Sequence, residues 1–287
     1  MLSLHTNAAA LSTKNALAGT QGALTKSLTR LGTGLRVNSA MDDAAGLQIA
    51  TRLNAQSRGM VVAQRNAQNG ISQLQVAEGA LAEVTNILLR MKDLATESAN
   101  GSASAADRTA MQKEYDALGN ELNNIINNTA FAGDTLLDAA GVFSAAVDYQ
   151  IGASAAEVMT VDVSAEITQI DTDLQAVSAN FAAPNTGGTE IDTQGAASTT
   201  ITTIQTALDS VGALRSAFGA AANRLDYVHS NLSTMISGTD AAKGRIMDVD
   251  YATESANMTS KQILMQAGSA MLKQASQMNQ LIVSLVQ

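Results

Sequence analysis

Cysteine is absent from this chain of 287 residues, and proline and the aromatic residues are scarce. Without cysteine there is no disulfide, no thiolate metal site and no cysteine nucleophile. Pro184 is the single proline, so the rest of the chain is free to form long helices. Aromatic residues make up 3% of the sequence, and the apolar positions hold mainly Ala, Leu, Ile, Val and Met. This composition predicts a mainly α-helical protein built by helix-on-helix packing.

Basic residues are missing from a long stretch, since neither Lys nor Arg occurs between Glu114 and Leu214. The net charge is −9, with +5 on residues 1–65 and −14 on the remainder. An acidic chain repels phosphate backbones, so we expect no nucleic-acid partner. No apolar run approaches the roughly 18 residues of a membrane span. Residues 1–21 lack the basic start and continuous apolar stretch of a secretory signal peptide, so we expect neither a membrane partner nor such a signal.

Apolar residues recur at intervals of three and four along both ends of the chain, which is the pattern of one helix face. A lone apolar stripe on an isolated helix is marginal in water, so we expect the terminal helices to pair with each other or with other copies as coiled coils. The leading physical interpretation is polymerisation. The predicted polymerisation core comprises Leu24, Leu28, Leu31, Leu35, Leu264, Met271, Met278, Leu281 and Leu285.

Three further helical stripes and one change of period organise the middle of the chain. The stripes run from Leu74 to Ala95, from Met111 to Ile125 and from Ile201 to Ile236. Alternation around Tyr149, followed by a second run from Val158, predicts a β-hairpin. The next residues mix Thr, Asp, Gly and Ala with weak periodicity, which indicates a surface excursion.

These patterns predict three regions. Residues 1–38 and 248–287 form a terminal coiled-coil core domain. Residues 39–163 and 201–247 form an elongated helical domain that includes the hairpin at about 140–163. Residues 164–200 form the short variable excursion.

Two glycines, Gly32 and Gly34, interrupt the N-terminal helical pattern shortly before Asp42 and Asp43. Two interpretations compete, a phosphate loop with a metal-binding acid pair and a joint between helices. A P-loop needs a Lys followed by Ser or Thr, which is missing. Adjacent aspartates on a helix diverge by about 100° and do not converge on one ion. Ser39 with Asp42 fits a capping box, so these five residues predict a joint.

No constellation for catalysis stands out in the sequence. His5 and His229 lie far apart and have no third ligand at metal-binding spacing. No G-x-S-x-G elbow occurs. We therefore predict no catalytic residue, no metal site and no cofactor, and an enzyme remains an alternative without a site.

Long ordered blocks at both ends make the chain resemble bacterial flagellin, the subunit of the flagellar filament. They include LRVNSAMDDAAGLQIATRL (35–53), NAQNGISQLQVAEGALAEV (66–84) and GRIMDVDYATESANMTSKQILMQAGSAMLKQASQ (244–277). The resemblance implies paired terminal helices in the filament core and an elongated helical domain with a β-hairpin outside it. The joint corresponds to the spoke between them.

The resemblance also implies a function and a set of partners. The chain would polymerise into an extracellular filament for motility after export, unfolded, through the flagellar type III apparatus. The implied partners are other copies of the chain, an export chaperone, a filament cap protein and hook-associated junction proteins. A hook–filament junction adaptor, which shares flagellin-like termini, is the alternative.

Many flagellins are also ligands of Toll-like receptor 5. The matching block LLRMKDLATESAN (88–100) and the following helix place Arg90, Leu94 and Glu114 at receptor-binding positions. The three residues would offer a planar fork, an apolar knob and a complementary charge. Leu89 stands where the family commonly has Gln. The competing interpretation is that Arg90 and Leu94 contact the next subunit.

Overall fold

Long helices dominate the structure, a computed structural model that describes the backbone of residues 7–286 and the side chains of residues 7–277. The helices are α1 (Ala8–Thr33), α2 (Ala44–Ser98), α3 (Ala105–Asn128), α4 (Ser164–Val177), α5 (Ala179–Ala182), α6 (Gln194–Met247) and α7 (Tyr251–Val286). The strands are β1 (Ala130–Phe131), β2 (Asp134–Thr135), β3 (Val147–Gln150) and β4 (Val158–Val161). A short 3-10 helix spans Val142–Ser144. The predicted mainly helical fold class is confirmed.

Residue contacts divide the chain into two compact units. The terminal unit comprises Met1–Ser57 and Ser237–Gln287, and the middle unit comprises Arg58–Ile236. Both α2 and α6 contribute residues to each unit.

The core of the middle unit forms from the apolar stripes of α2, α3 and α6. Every residue of the predicted α2 stripe is buried, namely Leu74, Ala77, Leu81, Val84, Leu88, Met91 and Ala95. Tyr115 of α3 is also fully buried, and its hydroxyl donates to the backbone oxygen of Val177 at 2.8 Å. The ring of Phe143 lies 4.8 Å from that of Phe218 in α6, centroid to centroid. Such an aromatic pair adds about 0.5–1.5 kcal/mol to the apolar burial.

The predicted hairpin is confirmed as the antiparallel pair β3–β4. Its register places Tyr149 opposite Met159, and both side chains are buried. Tyr149 packs on α2 at Gly70, where a Cβ would lie 2.8 Å from the Tyr149 ring. Only glycine leaves room for this approach, and the Tyr149 hydroxyl then donates to Gln73 Oε1 at 2.8 Å.

A second, smaller hairpin, β1–β2, was not predicted from the sequence. Its two central residues, Ala132 and Gly133, have φ angles of 56° and 103°. Positive φ at both positions characterises the type I′ turn, which normally carries Asn-Gly or Asp-Gly. Alanine at the first position removed that signal from the sequence.

The segment 164–200 differs from the predicted surface excursion because its first half is a packed helix. Helix α4 buries Ile167, Ile170, Leu174 and Val177, which recur at intervals of three and four. These four apolar residues are interspersed with Thr, Asp and Gln, which dilutes their periodicity in a window of this length.

The second half of the segment is attached to the middle unit by polar contacts. The Ile191 side chain is fully buried, and its N–H donates to Gln112 Oε1 at 2.8 Å. Ser98 Oγ donates to the Ile191 carbonyl at 2.5 Å. Glu190 accepts from Gln112 Nε2 at 2.7 Å and from the Ala179 N–H at 2.6 Å. Hydrogen bonds of this kind leave no hydrophobic pattern in the sequence.

Truncation of the aromatic pair tests the core. We expect Phe218→Ala to lower the free energy of unfolding by roughly 3–5 kcal/mol, because it leaves a cavity beside Phe143. Urea denaturation followed by circular dichroism measures the change. Tyr227→Ala is the control, since Tyr227 lies on the same helix but is 75% exposed. Its effect should stay within about 0.5 kcal/mol, and equal midpoints for the two variants would contradict this core.

Candidate functional site

Helices α1 and α7 of the terminal unit lie antiparallel and pack along one another. Near the start of α1, Asn7 Nδ2 donates to the backbone oxygen of Ala275 at 2.9 Å. Near the end of α1, Arg30 Nη1 lies 3.5 Å from Glu254 Oε2. These contacts confirm that the terminal segments form a helix pair together.

The contact seam follows a heptad pattern on both helices. The regularly spaced, less exposed positions on α1 are Ala10, Thr13, Leu17, Thr20, Leu24, Ser27 and Leu31. Those on α7 are Glu254, Met258, Lys261, Met265, Gly268, Leu272 and Ala275. A Cβ at Gly268 would lie 3.3 Å from Leu17 Cδ1, so the two helices approach closely there. Intervals of four and three on both sides make this a coiled-coil seam.

The residues of the predicted polymerisation core lie partly in this seam, partly in the joint after α1 and partly at exposed positions of the two helices. Leu24 is buried in the seam, and Leu31 and Leu35 are partly buried. By contrast, Leu28 is 50%, Leu264 51% and Met271 65% exposed. Helix α7 therefore carries two apolar stripes, and the stripe predicted from periodicity is the exposed one, outside the seam with α1.

Three other residues of the predicted core cannot be placed in this way. The side chains of Met278, Leu281 and Leu285 lie outside the described residues.

The predicted joint at the end of α1 is tied to the segment between α6 and α7. Gly32 is still inside α1, whereas Gly34 caps the helix with φ at 73°, and its N–H donates to the Arg30 carbonyl at 2.9 Å. The next residues pair with the second linker through main-chain atoms. Arg36 N–H donates to the Met247 carbonyl at 2.6 Å, and Val249 N–H donates to the Gly34 carbonyl at 3.0 Å.

The predicted capping box of Ser39 and Asp42 is wrong, because α2 begins only at Ala44. Asp43 is the capping residue instead, since its Oδ1 accepts from the Gly46 N–H at 2.8 Å. Asp42 closes the preceding turn and accepts from the Ser39 N–H at 3.1 Å.

An ion pair with Lys26 in α1 holds the Asp42 side chain away from the start of α2. Lys26 Nζ lies 2.7 Å from Asp42 Oδ1. Its hydrogen bond is the main reason that the pKa of Asp42 falls to about 2, assisted by the backbone N–H groups of Asn38 and Ser39. A lowered pKa means that this contact contributes fully above the ordinary pKa of 3.8 and is lost as the pH falls through about 2. Asp42 and Asp43 thus serve two separate turns and do not converge on a ligand.

Of the three predicted receptor residues, two lie together on the surface of the middle unit. Arg90 of α2 donates through Nε and Nη2 to Glu114 Oε1 of α3 at 2.8 and 2.6 Å. Both side chains are about half exposed, and Glu114 raises the pKa of Arg90.

Leu94, the third predicted receptor residue, is not the exposed apolar side chain that the sequence analysis expected. Its side chain is 3% exposed and belongs to the core. It packs there because it follows Met91 by three residues on the buried face of α2. The neighbouring Leu89, in contrast, is 48% exposed.

The described part of the chain shows no group of three or more His, Asp or Glu side chains placed to hold a metal ion. His229 is partly buried on α6, while His5 lies outside the described residues. In the same described part, no helix combines the length and apolar character needed to cross a membrane.

The two glycines of the joint offer a matched test. We expect Gly34→Ala to destabilise the terminal unit by about 1–2 kcal/mol, because alanine is strained at positive φ. Its Cβ would also lie 2.9 Å from the Tyr251 hydroxyl. Gly32→Ala should instead raise stability by up to about 1 kcal/mol, since a Cβ inside the helix meets open space. Thermal melts followed by circular dichroism measure both, and changes of the same sign would contradict this description of the joint.

The chain matches two family models over most of its length. The model "Bacterial flagellin N-terminal helical region" covers residues 4–141, and "Bacterial flagellin C-terminal helical region" covers residues 201–286. The unmatched residues between them include α4 and α5.

Individual relatives extend the similarity to the whole chain. Flagellin D of Vibrio cholerae is 33% identical over an alignment of 377 residues that covers 99% of both chains. Flagellin A of the same species is 34% identical over 380 residues, with all of both chains covered. Among solved structures, one assigned as a flagellar hook-associated protein from Vibrio parahaemolyticus has a TM-score of 0.54 at 19% identity. It covers 72% of this chain and 100% of that one, a likeness of fold alone. On the strength of the whole-length relatives and the two terminal models, this chain belongs to the bacterial flagellin family of structural proteins.

Proposed function

We propose that this chain polymerises through the outer faces of its terminal helices into the filament of a bacterial flagellum, and that the filament serves motility. The observation that carries the proposal is the second apolar stripe of α7, formed by Leu264 and Met271, which lies outside the seam with α1 and is called the outer stripe below. Family membership supports the same role.

The apolar side chains of the outer stripe, Leu264 and Met271, are 51% and 65% exposed. Other large apolar side chains on the two helices are also half exposed or more: Leu11 and Leu28 on α1, and Ile263 on α7. Full burial of one such side chain is worth about 1.5–3 kcal/mol. A soluble protein rarely leaves so many large apolar side chains of one helix pair in water, so they support a contact with a partner.

The partner that fits the stripe is another copy of the same helix pair. Head-to-tail contacts between identical subunits generate an open helical filament when the rotation does not close into a ring. Apart from Lys14, Lys26 and Lys273, the exposed positions described on both helices carry uncharged residues, mainly Ala, Ser, Thr, Asn and Gln, which suits repeated helix contacts. Each added subunit then buries one stripe and presents the next.

The alternative, a hook–filament junction adaptor, would share the terminal helices but would not extend itself into a long polymer. The flagellin models over both terminal regions support the filament subunit. Growth from filament seeds distinguishes the two functions, because an adaptor would add once and stop.

We further propose that the chain reaches an extracellular filament by export, unfolded, through the flagellar type III apparatus. Before assembly the side chains of Ile263, Leu264 and Met271 on α7 would be exposed to water, so an export chaperone has an apolar surface to cover there. A filament cap protein and hook-associated junction proteins complete the proposed partners.

Toll-like receptor 5 is a further proposed partner, at the surface around Arg90 and Glu114. The two side chains are held together before any receptor arrives, so little ordering is needed on binding. A rigid guanidinium with its donors half exposed suits a polar contact at the centre of an interface. The apolar neighbour available to a receptor is Leu89, because Leu94 is buried.

A charge in the outer stripe tests assembly. We expect Met271→Asp to abolish elongation of filament seeds, because a carboxylate would have to be buried between subunits. The monomer should keep its helicity, since Met271 is 65% exposed before assembly. Electron microscopy of monomers mixed with short seeds provides the measurement.

Gln266→Asp is the matched control, since Gln266 is exposed on α7 but lies on neither the seam nor the outer stripe. It adds the same charge and should permit elongation. Normal filaments from Met271→Asp, or equal loss from both variants, would count against the outer stripe as the assembly surface.

The receptor proposal predicts that Arg90→Ala weakens signalling through Toll-like receptor 5 in a reporter cell, with monomer helicity unchanged. Arg215→Ala is the control, because Arg215 forms a similar half-exposed pair with Glu78 at 2.8 Å elsewhere on the middle unit. An exposed pair contributes only about 0–1 kcal/mol to folding, so neither variant should unfold. Equal signalling from the two variants would refute a specific role for Arg90.

A further inference from the structure

The dipeptide Asn-Gly occurs twice in this chain, and its two copies lie in opposite backbone settings. Asn69–Gly70 lies inside α2, whereas Asn100–Gly101 lies in the turn between α2 and α3. Both asparagine side chains are exposed. The two sites therefore share their residue types and an exposed asparagine, but they differ in backbone constraint and in the glycine, which is buried at position 70 and exposed at position 101.

Asparagine followed by glycine can lose ammonia without an enzyme. Base removes the proton of the glycine N–H, and the nitrogen attacks the asparagine Cγ. A new C–N bond closes a five-membered succinimide, the carboxamide C–N bond breaks, and the amide nitrogen leaves as ammonia with a proton from solvent. One water then opens the ring at either carbonyl and gives aspartate or isoaspartate. Glycine favours the attack because it has no Cβ and its backbone rotates freely.

The turn at Asn100 leaves the reacting atoms accessible. Among the hydrogen bonds of the described residues, none involves the Gly101 N–H. Space around Gly101 is open, since a Cβ there would meet only Gln194 Nε2, at 3.9 Å. The Ser102 N–H donates to Asn100 Oδ1 at 3.3 Å. This contact draws electron density from the carboxamide and stabilises negative charge on its oxygen during attack.

Inside α2 the corresponding atoms, the Gly70 backbone nitrogen and the Asn69 Cγ, are kept from reacting. Inside α2 a backbone N–H is bonded to the carbonyl four residues earlier. Gly70 is also wedged against the core, where a Cβ would lie 2.8 Å from the Tyr149 ring and 3.0 Å from Leu225 Cδ1. The attack at Asn69 therefore requires local opening of α2.

We infer that Asn100 is a site of spontaneous deamidation in the folded chain and that Asn69 is protected from the same reaction. With isoaspartate at position 100, the main chain would run through the former side-chain atoms Cβ and Cγ and would be one atom longer. The Asn100 carbonyl now accepts from the Ala103 N–H at 3.2 Å and from Arg108 Nη2 at 2.9 Å. Both bonds close the turn, so the product loosens the corner between α2 and α3.

The test follows both sites in one sample. The full-length monomer is incubated in mildly alkaline buffer, digested with trypsin, and analysed by liquid chromatography with mass spectrometry. Cleavage after Arg65, Arg90, Lys92 and Arg108 places the two sites on separate peptides. We expect Asn100 to convert faster than Asn69 by on the order of 100-fold, because a helix interior opens rarely.

Two comparisons test whether the difference in rate comes from the folded structure. In concentrated urea the two rates should converge, since unfolding removes both the helical constraint at Asn69 and the burial of Gly70. Gly101→Ala should slow conversion at Asn100 and leave Asn69 unchanged. Equal rates in the folded chain, or an Asn100 that stays intact while the urea-unfolded chain converts, would overturn the inference.

Discussion

The antiparallel contact between α1 and α7 joins residues at opposite ends of the sequence, and the assembly surface depends on it. Asn7 and Ala275 are 268 positions apart. Closing so long a loop costs entropy, although this cost grows only with the logarithm of loop length. The small seam residues allow the close approach that offsets it. Glu254 is 8% exposed and faces Arg30, so sliding one helix along the other would strand a buried charge. The pair thereby favours one register, and the register fixes where the exposed apolar side chains of α1 lie relative to those of α7.

Periodicity predicted the middle unit well because each stripe there has a single partner surface. The α2 stripe from Leu74 to Ala95 is buried throughout. Helix α7 is different, because Met258, Met265 and Leu272 have the same spacing as Leu264 and Met271. Sequence spacing distinguishes apolar stripes but does not say which stripe meets α1. That choice depends on where the second helix lies, which is a property of the whole fold.

The smaller errors have the same origin, a competition that local sequence does not decide. Two caps for α2 compete in the sequence. One is a capping box of Ser39 with Asp42, and the other is Asp43 by itself. Lys26, sixteen positions before Asp42, engages that carboxylate, and the helix begins after Asp43. The Arg90–Glu114 pair likewise depends on how α3 folds back beside α2. Sequence spacing alone does not predict that these two residues are neighbours, and they were grouped only through the resemblance to flagellin.

Main-chain atoms form the bridge between the joint after α1 and the linker before α7, with Leu35 opposite Asp248. A bond between an N–H and a carbonyl does not depend on the identity of the side chain. Substitutions at Leu35 or Asp248 can therefore change the chemistry of this surface without moving the two linkers apart. Gly34 is the exception, because its left-handed conformation restricts the choice of residue. Evolution can vary the surface chemistry of this junction while its geometry stays fixed.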